Sequence, residues 1–177
     1  VPLLQKTNYD PAKDFVPVSI LSVSVGAIVV HPSVPAHNLK ELVAYAKANP
    51  GKLNYGSAGA GSSSNLTGEL FKHLAGLPDI VHIPYKSATP GITDLVAGQI
   101  PIMTPMISGN IVELHKAGKV RILASASEQR MAAAPDIPTG AEQGFPDLVS
   151  QLFVGLFAPT GTPQPVIDQL VKATDRK

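Results

Sequence analysis

The stretch that decides the fold is Leu53-Asn54-Tyr55-Gly56-Ser57-Ala58-Gly59-Ala60-Gly61-Ser62-Ser63-Ser64-Asn65-Leu66. A short β-forming run, Leu53 to Tyr55, passes through small residues into a helix on which Leu66, Leu70, Phe71 and Leu74 are expected to share one apolar face. Gly76 is placed to close that helix. A glycine-serine loop between a strand and a helix lets backbone amides converge on an anion at the helix N-terminus. The same serines could equally be no more than helix caps.

Working outward, the alternation continues. Asn38 reads as an N-cap with Glu41 three residues on, Leu39, Leu42, Val43 and Ala46 form a stripe, and Pro50-Gly51 stop the helix. Ile80 to Ile83 is the next strand, followed by the loop Tyr85-Lys86-Ser87-Ala88-Thr89. Pro90 suits a first helical residue, and Ile92, Leu95 and Val96 give that helix its buried side. Strands at Ile100–Met103 and Val120–Ala124 flank a helix at Ile111–Lys116. Pro135 and Pro138 then interrupt regular structure, Phe153 to Phe157 resumes a strand, and Thr162-Pro163 starts a last helix. Strands alternating with helices predict an α/β fold with a mostly parallel sheet and helices on both faces. Ligands of such sheets collect outside the carboxyl ends of the strands. Two strand-to-helix junctions on one edge therefore favour a binding site over caps alone.

Composition narrows the chemistry. The chain has 177 residues, 44% of them hydrophobic and 15% charged, enough for one domain with a packed core. A formal net charge of +1 argues against a nucleic-acid partner. The absence of cysteine excludes disulfides, thiol catalysis and cysteine metal sites. His31, His37, His73, His82 and His115 lack metal-ligand spacing, so no metal or cofactor is expected. The longest apolar run, Ile20 to Val30, is interrupted by serines and Gly26 and falls short of a membrane span. The glycine loop also admits a nucleotide- or dinucleotide-binding enzyme as an alternative. Yet Ser62 stands where a P-loop needs lysine, and Gly59-Ala60-Gly61 lacks the third glycine of a dinucleotide fingerprint. No serine here lies in a Gly-x-Ser-x-Gly elbow. What remains is a carboxylate held by amides and hydroxyls, with Lys86 beside the second loop to lend positive potential.

Several motifs together resemble the Bug family, the extracytoplasmic receptors of tripartite tricarboxylate transporters. They are Tyr9-Asp10-Pro11-Ala12-Lys13-Asp14-Phe15, Asn38-Leu39-Lys40-Glu41-Leu42, Pro50-Gly51-Lys52-Leu53-Asn54-Tyr55-Gly56-Ser57, Pro84-Tyr85-Lys86, Asp94-Leu95-Val96-Ala97-Gly98-Gln99, Lys116-Ala117-Gly118-Lys119-Val120-Arg121 and Pro135-Asp136-Ile137-Pro138-Thr139. The resemblance implies one lobe of a two-lobed, type II periplasmic binding protein, with its signal peptide removed, that closes on a small carboxylate without catalysis. It implies residues 1–24 as a remnant of the first lobe and hinge, 25–152 as the second, ligand-binding lobe, and 153–177 as a return to the first. The family's ligand contacts carry over to Gly61, Ser62, Ser63, Ser87, Ala88 and Thr89. Family members usually have glycine at Ser87, often histidine at Asn65, and a different pattern over Thr104 to Asn110. The implied partners are the transporter's membrane components. The truncated domain is expected to dimerise, swap segments or aggregate through uncovered apolar stretches.

Overall fold

In this computed structural model residues 7–174 are described. Along the chain lie β1 (Phe15–Val25), β2 (Ala27–Val30), α1 (Leu39–Ala48), β3 (Asn54–Ser57), α2 (Ser63–Ala75), β4 (Val81–Pro84) and α3 (Ala88–Val96). There follow β5 (Ile102–Met103), α4 (Gly109–Lys116), β6 (Arg121–Ser125), a 3-10 turn at Ala141–Gln143, β7 (Gln151–Pro159) and α5 (Gln164–Thr174). The chain divides into two units, one of Ser24–Leu152 and one of residues 7–23 with 153–174.

The larger unit is built on a five-stranded sheet ordered β4-β3-β5-β2-β6. β3 pairs parallel with β4 and with β5, while β2 pairs antiparallel with β5 and with β6. Those pairings make β3, β4, β5 and β6 run one way and only β2 the other, so the α/β class and the mostly parallel sheet both hold. The apolar run Ile20 to Val30 is split at Gly26. A Cβ there would lie 2.6 Å from Thr67 Oγ1, so any larger residue would push α2 away.

β2 is fully buried and alternates in the way a strand covered on both faces must. Ile28 and Val30 join an apolar cluster with Leu39 and Leu42 of α1 and Phe71 and Ala75 of α2. Ala27 and Val29 join a second cluster with Leu95 of α3 and Ile111 of α4. Helices therefore cover both faces. The register between β2 and β6 slips after the Ile28–Ala124 pair, and Val29 meets Ile122. This bulge leaves Leu123 and Ala124 in the same cluster.

The local stop and start signals hold in the structure. Asn38 caps α1 by accepting from the Glu41 amide at 2.9 Å, and the Glu41 carboxylate accepts from the His37 amide at 2.6 Å. Gly76, at φ 62°, ends α2. Two expectations need correction. Leu66 is 55% exposed, and the buried stripe of α2 is Ser64, Thr67, Gly68, Phe71 and Ala75, with close approach to Tyr55 at Gly68, while Phe71 enters the core as expected and Leu70 and Leu74 pack against it. α3 begins at Ala88, with Ser87 as N-cap, so Pro90 is the third helical residue. It is still within the first turn, where its missing N–H has no helical partner to lose.

In the smaller unit β1 pairs with β7. Thr160 donates its amide to Asp14 O at 3.0 Å, and Ile167 is the buried residue of α5. Ile20, Leu21, Val23, Phe153, Val154 and Phe157 of this unit are exposed.

Candidate functional site

β3, β4 and β5 run the same way, so the crossovers leaving them emerge on one edge of the sheet. Residues 58–62 lead from β3 to α2, residues 85–87 from β4 to α3, and residues 104–108 from β5 to α4. The first two loops touch: the Tyr85 amide donates to Ser57 O at 3.0 Å, and a Cβ on Gly59 would sit 3.2 Å from Tyr85 O. The third closes behind them, with Thr104 donating its amide to Gly56 O at 3.3 Å and its hydroxyl to Ser64 O at 2.6 Å. Thr104 is 1% exposed. That is the part played by the beginning of the Thr104 to Asn110 stretch.

The six expected residues fall into two groups at this edge. Gly61, Ser62 and Ser63 lie at the start of α2; Ser87, Ala88 and Thr89 lie at the start of α3. Gly61, at φ 73°, turns the chain into α2, a conformation side-chain-bearing residues rarely adopt, and its amide donates to Asn65 Oδ1 at 2.9 Å. The Ser62 hydroxyl is occupied, donating to Gly59 O at 2.6 Å and accepting from the Asn65 amide at 3.2 Å. Ser62 therefore acts as a cap. Ser63 is different. It is half-buried, and its hydroxyl has no partner among the described residues. At α3, Ser87 makes no side-chain capping bond, and Ser87 and Thr89 are exposed. The amides of Ser63, Ser64, Ala88 and Thr89 make no hydrogen bond to described residues.

Electrostatics single out this edge. A helix carries about half a positive charge at its N-terminus. α2, α3 and α4 all start here, and none has an acidic residue in its first turn. α1, which follows the reversed strand β2 and starts on the opposite edge, carries Glu41 in its first turn. The fold thus neutralises the helix end away from the loops and leaves the three beside them positive. Lys86 is exposed between the Tyr85 and Ser87 positions.

Beneath the loops lies a polar layer that sequence reasoning missed. Tyr55, 2% exposed, stacks on His82 with ring centroids 4.9 Å apart. Its hydroxyl donates to Glu69 Oε1 at 2.6 Å and accepts from Asn65 Nδ2 at 2.7 Å. Burial and then the Glu69 hydrogen bond push the Tyr55 phenol well above its usual range. Tyr85 donates to Asp94 Oδ2 at 2.7 Å, and burial, then that carboxylate, push its phenol up to about 12. His82 Nε2 lies 2.6 Å from the Ser57 hydroxyl. The remaining signal in the sequence is spacing: Asn65 and Glu69 stand one and two helical turns beyond Gly61.

Two of these groups give acid sensitivity. Burial lowers the His82 imidazole below its ordinary 6.5, so the folded state favours the neutral ring. Burial works to raise the Glu69 carboxyl, but hydrogen bonds from Tyr55 and Lys72 outweigh it and hold the group below 4.5. Both depressed values stabilise the fold above the unfolded value and lose that contribution as pH falls through the folded one. Stability should therefore decline in two steps on acidification, the first below about pH 6.5 and the second below about 4.5. Urea midpoints measured across pH should show both, and His82→Gln should remove the first step. Persistence of that step in the variant would place it in another group.

The histidines do not gather. His31 Nδ1 bonds Ser33, and His115 Nδ1 accepts from the Ile122 amide. Among the described residues no group of three or more His, Cys, Asp or Glu could hold a metal ion, and no helix is long and apolar enough to cross a membrane.

The family model described as tripartite tricarboxylate transporter family receptor matches residues 1–177. The chain belongs to that receptor family. Among curated relatives, a UPF0065 protein of Bordetella pertussis is 36% identical over 158 residues, covering 89% of this chain and 48% of that protein. The chain spans about half the length of the curated relatives it matches. Among solved structures, MatC of Rhodopseudomonas palustris with bound malate superposes with a TM-score of 0.81 at 32% identity, covering 99% of this chain and 60% of that one. Rpa4515 of R. palustris with adipate gives 0.82 at 32% identity, covering 96% and 56%. The expected resemblance to Bug receptors holds. This is a family of solute-binding receptors, not of enzymes.

Proposed function

We propose that this chain is the ligand-binding part of a periplasmic receptor that captures a small organic carboxylate and presents it to the membrane components of a tripartite transporter. The observation that carries this reading is the pairing of two neighbouring helix N-termini, at Ser63–Ser64 and Ala88–Thr89, whose amides are unspent and whose first turns lack acids. Such ends suit an anion. The malate and adipate bound by two structural neighbours are of the matching chemistry. Gly61, Ser62, Ser63, Ser87, Ala88 and Thr89 frame the site on this reading, with Ser63 and Ser87 supplying free hydroxyls. Residues 25–152 form the second lobe of the receptor, while 1–24 and 153–177 belong to its first lobe and hinge. Lobe closure on the ligand signals occupancy to the transporter.

A thermal-shift screen of the whole receptor against dicarboxylates and nucleotides tests this reading, since a ligand at 100 times its Kd stabilises by about 2.7 kcal/mol. A dicarboxylate should raise the melting temperature. Stabilisation by a nucleotide alone would replace the receptor reading with an enzyme one.

The smaller unit carries a second expectation. Exposed Ile20, Leu21, Val23, Phe153, Val154 and Phe157 form the kind of apolar surface that drives association. The isolated 177-residue chain should dimerise, swap segments or aggregate. A stable monomer at high concentration in light scattering would count against it.

A further inference from the structure

We propose that Asn65 is the positioning residue of the carboxylate loop, holding residues 58–62 in shape through a hydrogen-bond relay that has only one possible direction. This rests on the receptor reading given above and names the device that would prepare its site. The relay runs from Lys72 to Gly61. Lys72 Nζ and the Tyr55 hydroxyl both donate to Glu69 Oε1, at 3.1 and 2.6 Å. Asn65 Nδ2 donates to Tyr55 Oη at 2.7 Å, and the Gly61 amide donates to Asn65 Oδ1 at 2.9 Å.

Direction follows from counting protons. A phenol has one, and a carboxylate at 2.6 Å outcompetes the main-chain carbonyl oxygen of Asn65, 3.4 Å from the same hydroxyl. Tyr55 Oη is then left with lone pairs toward Asn65, which must present its NH2 group. Its side-chain oxygen is thereby turned to Gly61. Glu69, two helical turns away, thus acts on loop shape from outside, in addition to the loop's own bond from the Ser62 hydroxyl to Gly59 O. The consequence for binding is specific: the Gly61 amide is spent inside the protein, and the amides of Ser63 and Ser64 are the ones left for an anion.

The test is amide hydrogen exchange read by NMR on the chain, with Asn65→Asp and Tyr55→Phe. Asn65→Asp keeps an acceptor for Gly61 but offers Tyr55 no donor and sets a second carboxylate against its single proton. If Asn65 acts through the relay, Gly61 loses roughly tenfold protection in this variant, the order of one lost hydrogen bond. Tyr55→Phe, which touches Gly61 nowhere, should weaken the same amide while Phe71 in the core stays protected. Were Asn65 only a local acceptor, Asn65→Asp would protect Gly61 as well as the wild type does and Tyr55→Phe would leave it unchanged; either result overturns the proposal. A malate titration of the whole receptor separates this from the receptor reading. Shifts at Ser63 and Ser64 in the wild type, reduced in Asn65→Asp, support the relay's role in binding. Absence of those shifts in the wild type would sink the malate site while leaving the exchange result to judge the relay.

Discussion

Gly68→Ala is expected to destabilise the chain by up to about 2 kcal/mol, although alanine is the better helix former. A Cβ at that position would lie 2.2 Å from Tyr55 Cε2 and 2.7 Å from Cζ. The Tyr55 ring has nowhere to go, because it is stacked on His82 and its hydroxyl is held by Glu69 and Asn65. α2 must move out, and overpacking of that kind costs about 1–3 kcal/mol and occasionally more, against roughly 1 kcal/mol gained from helix propensity. Urea unfolding decides it, with Gly109→Ala as control. Gly109 is the first residue of α4 with nothing within 4 Å of its added Cβ, so that change should be neutral or mildly stabilising. Equal stability of both variants would mean that α2 does not depend on close approach to Tyr55.

Ser63→Asp should leave stability unchanged or slightly raised while lowering carboxylate affinity at least tenfold in the whole receptor. Its side chain has no partner to lose, and a carboxylate at a helix start gains about 0.3–1 kcal/mol from the helix dipole. That same charge would repel or replace the ligand's carboxylate. Losing one hydrogen bond to a charged group costs about 1.5–3 kcal/mol, and about 1.4 kcal/mol is one decade of affinity. Ser87→Asp should behave alike, since Ser87 caps α3 without a side-chain bond and aspartate could supply one. Ser62→Asp is the poorer probe, because the Ser62 hydroxyl donates to Gly59 O and aspartate cannot. Calorimetry with malate or adipate measures the affinity. Unchanged binding in the Ser63 and Ser87 variants would move the site elsewhere. Higher stability with lower affinity is a combination that a packing defect could not produce.

How much of this is legible in the sequence divides along one line. Features set by a few adjacent residues can be read: the Asn38–Glu41 cap, the stop at Gly76, the small-residue loop and the two strand-to-helix junctions. Features set by distant partners cannot. Leu66 looks like a core residue because periodicity does not reveal that α2 presses its small side against Tyr55. Thr104 reaches Ser64 across forty positions, and Asn65 reaches Tyr55 only because β3 and α2 pack together. Nor can a local pattern show that Ala27–Val30 lies between β5 and β6 in the sheet.

That last placement governs the order of assembly. β2 is made before any other strand of its sheet, yet its neighbours are Met103 and Ile102 on one side and residues 121 to 125 on the other. Its four apolar residues therefore wait with no sheet to join until β5 has been synthesised. Closing so long a loop must precede the contacts that reward it, which slows folding relative to proteins rich in local contacts. The βα units of β3, β4 and their helices can assemble early by nearest-neighbour pairing. β2 can pair along one edge once β5 has emerged, and its other edge stays uncovered in the nascent chain until β6 follows.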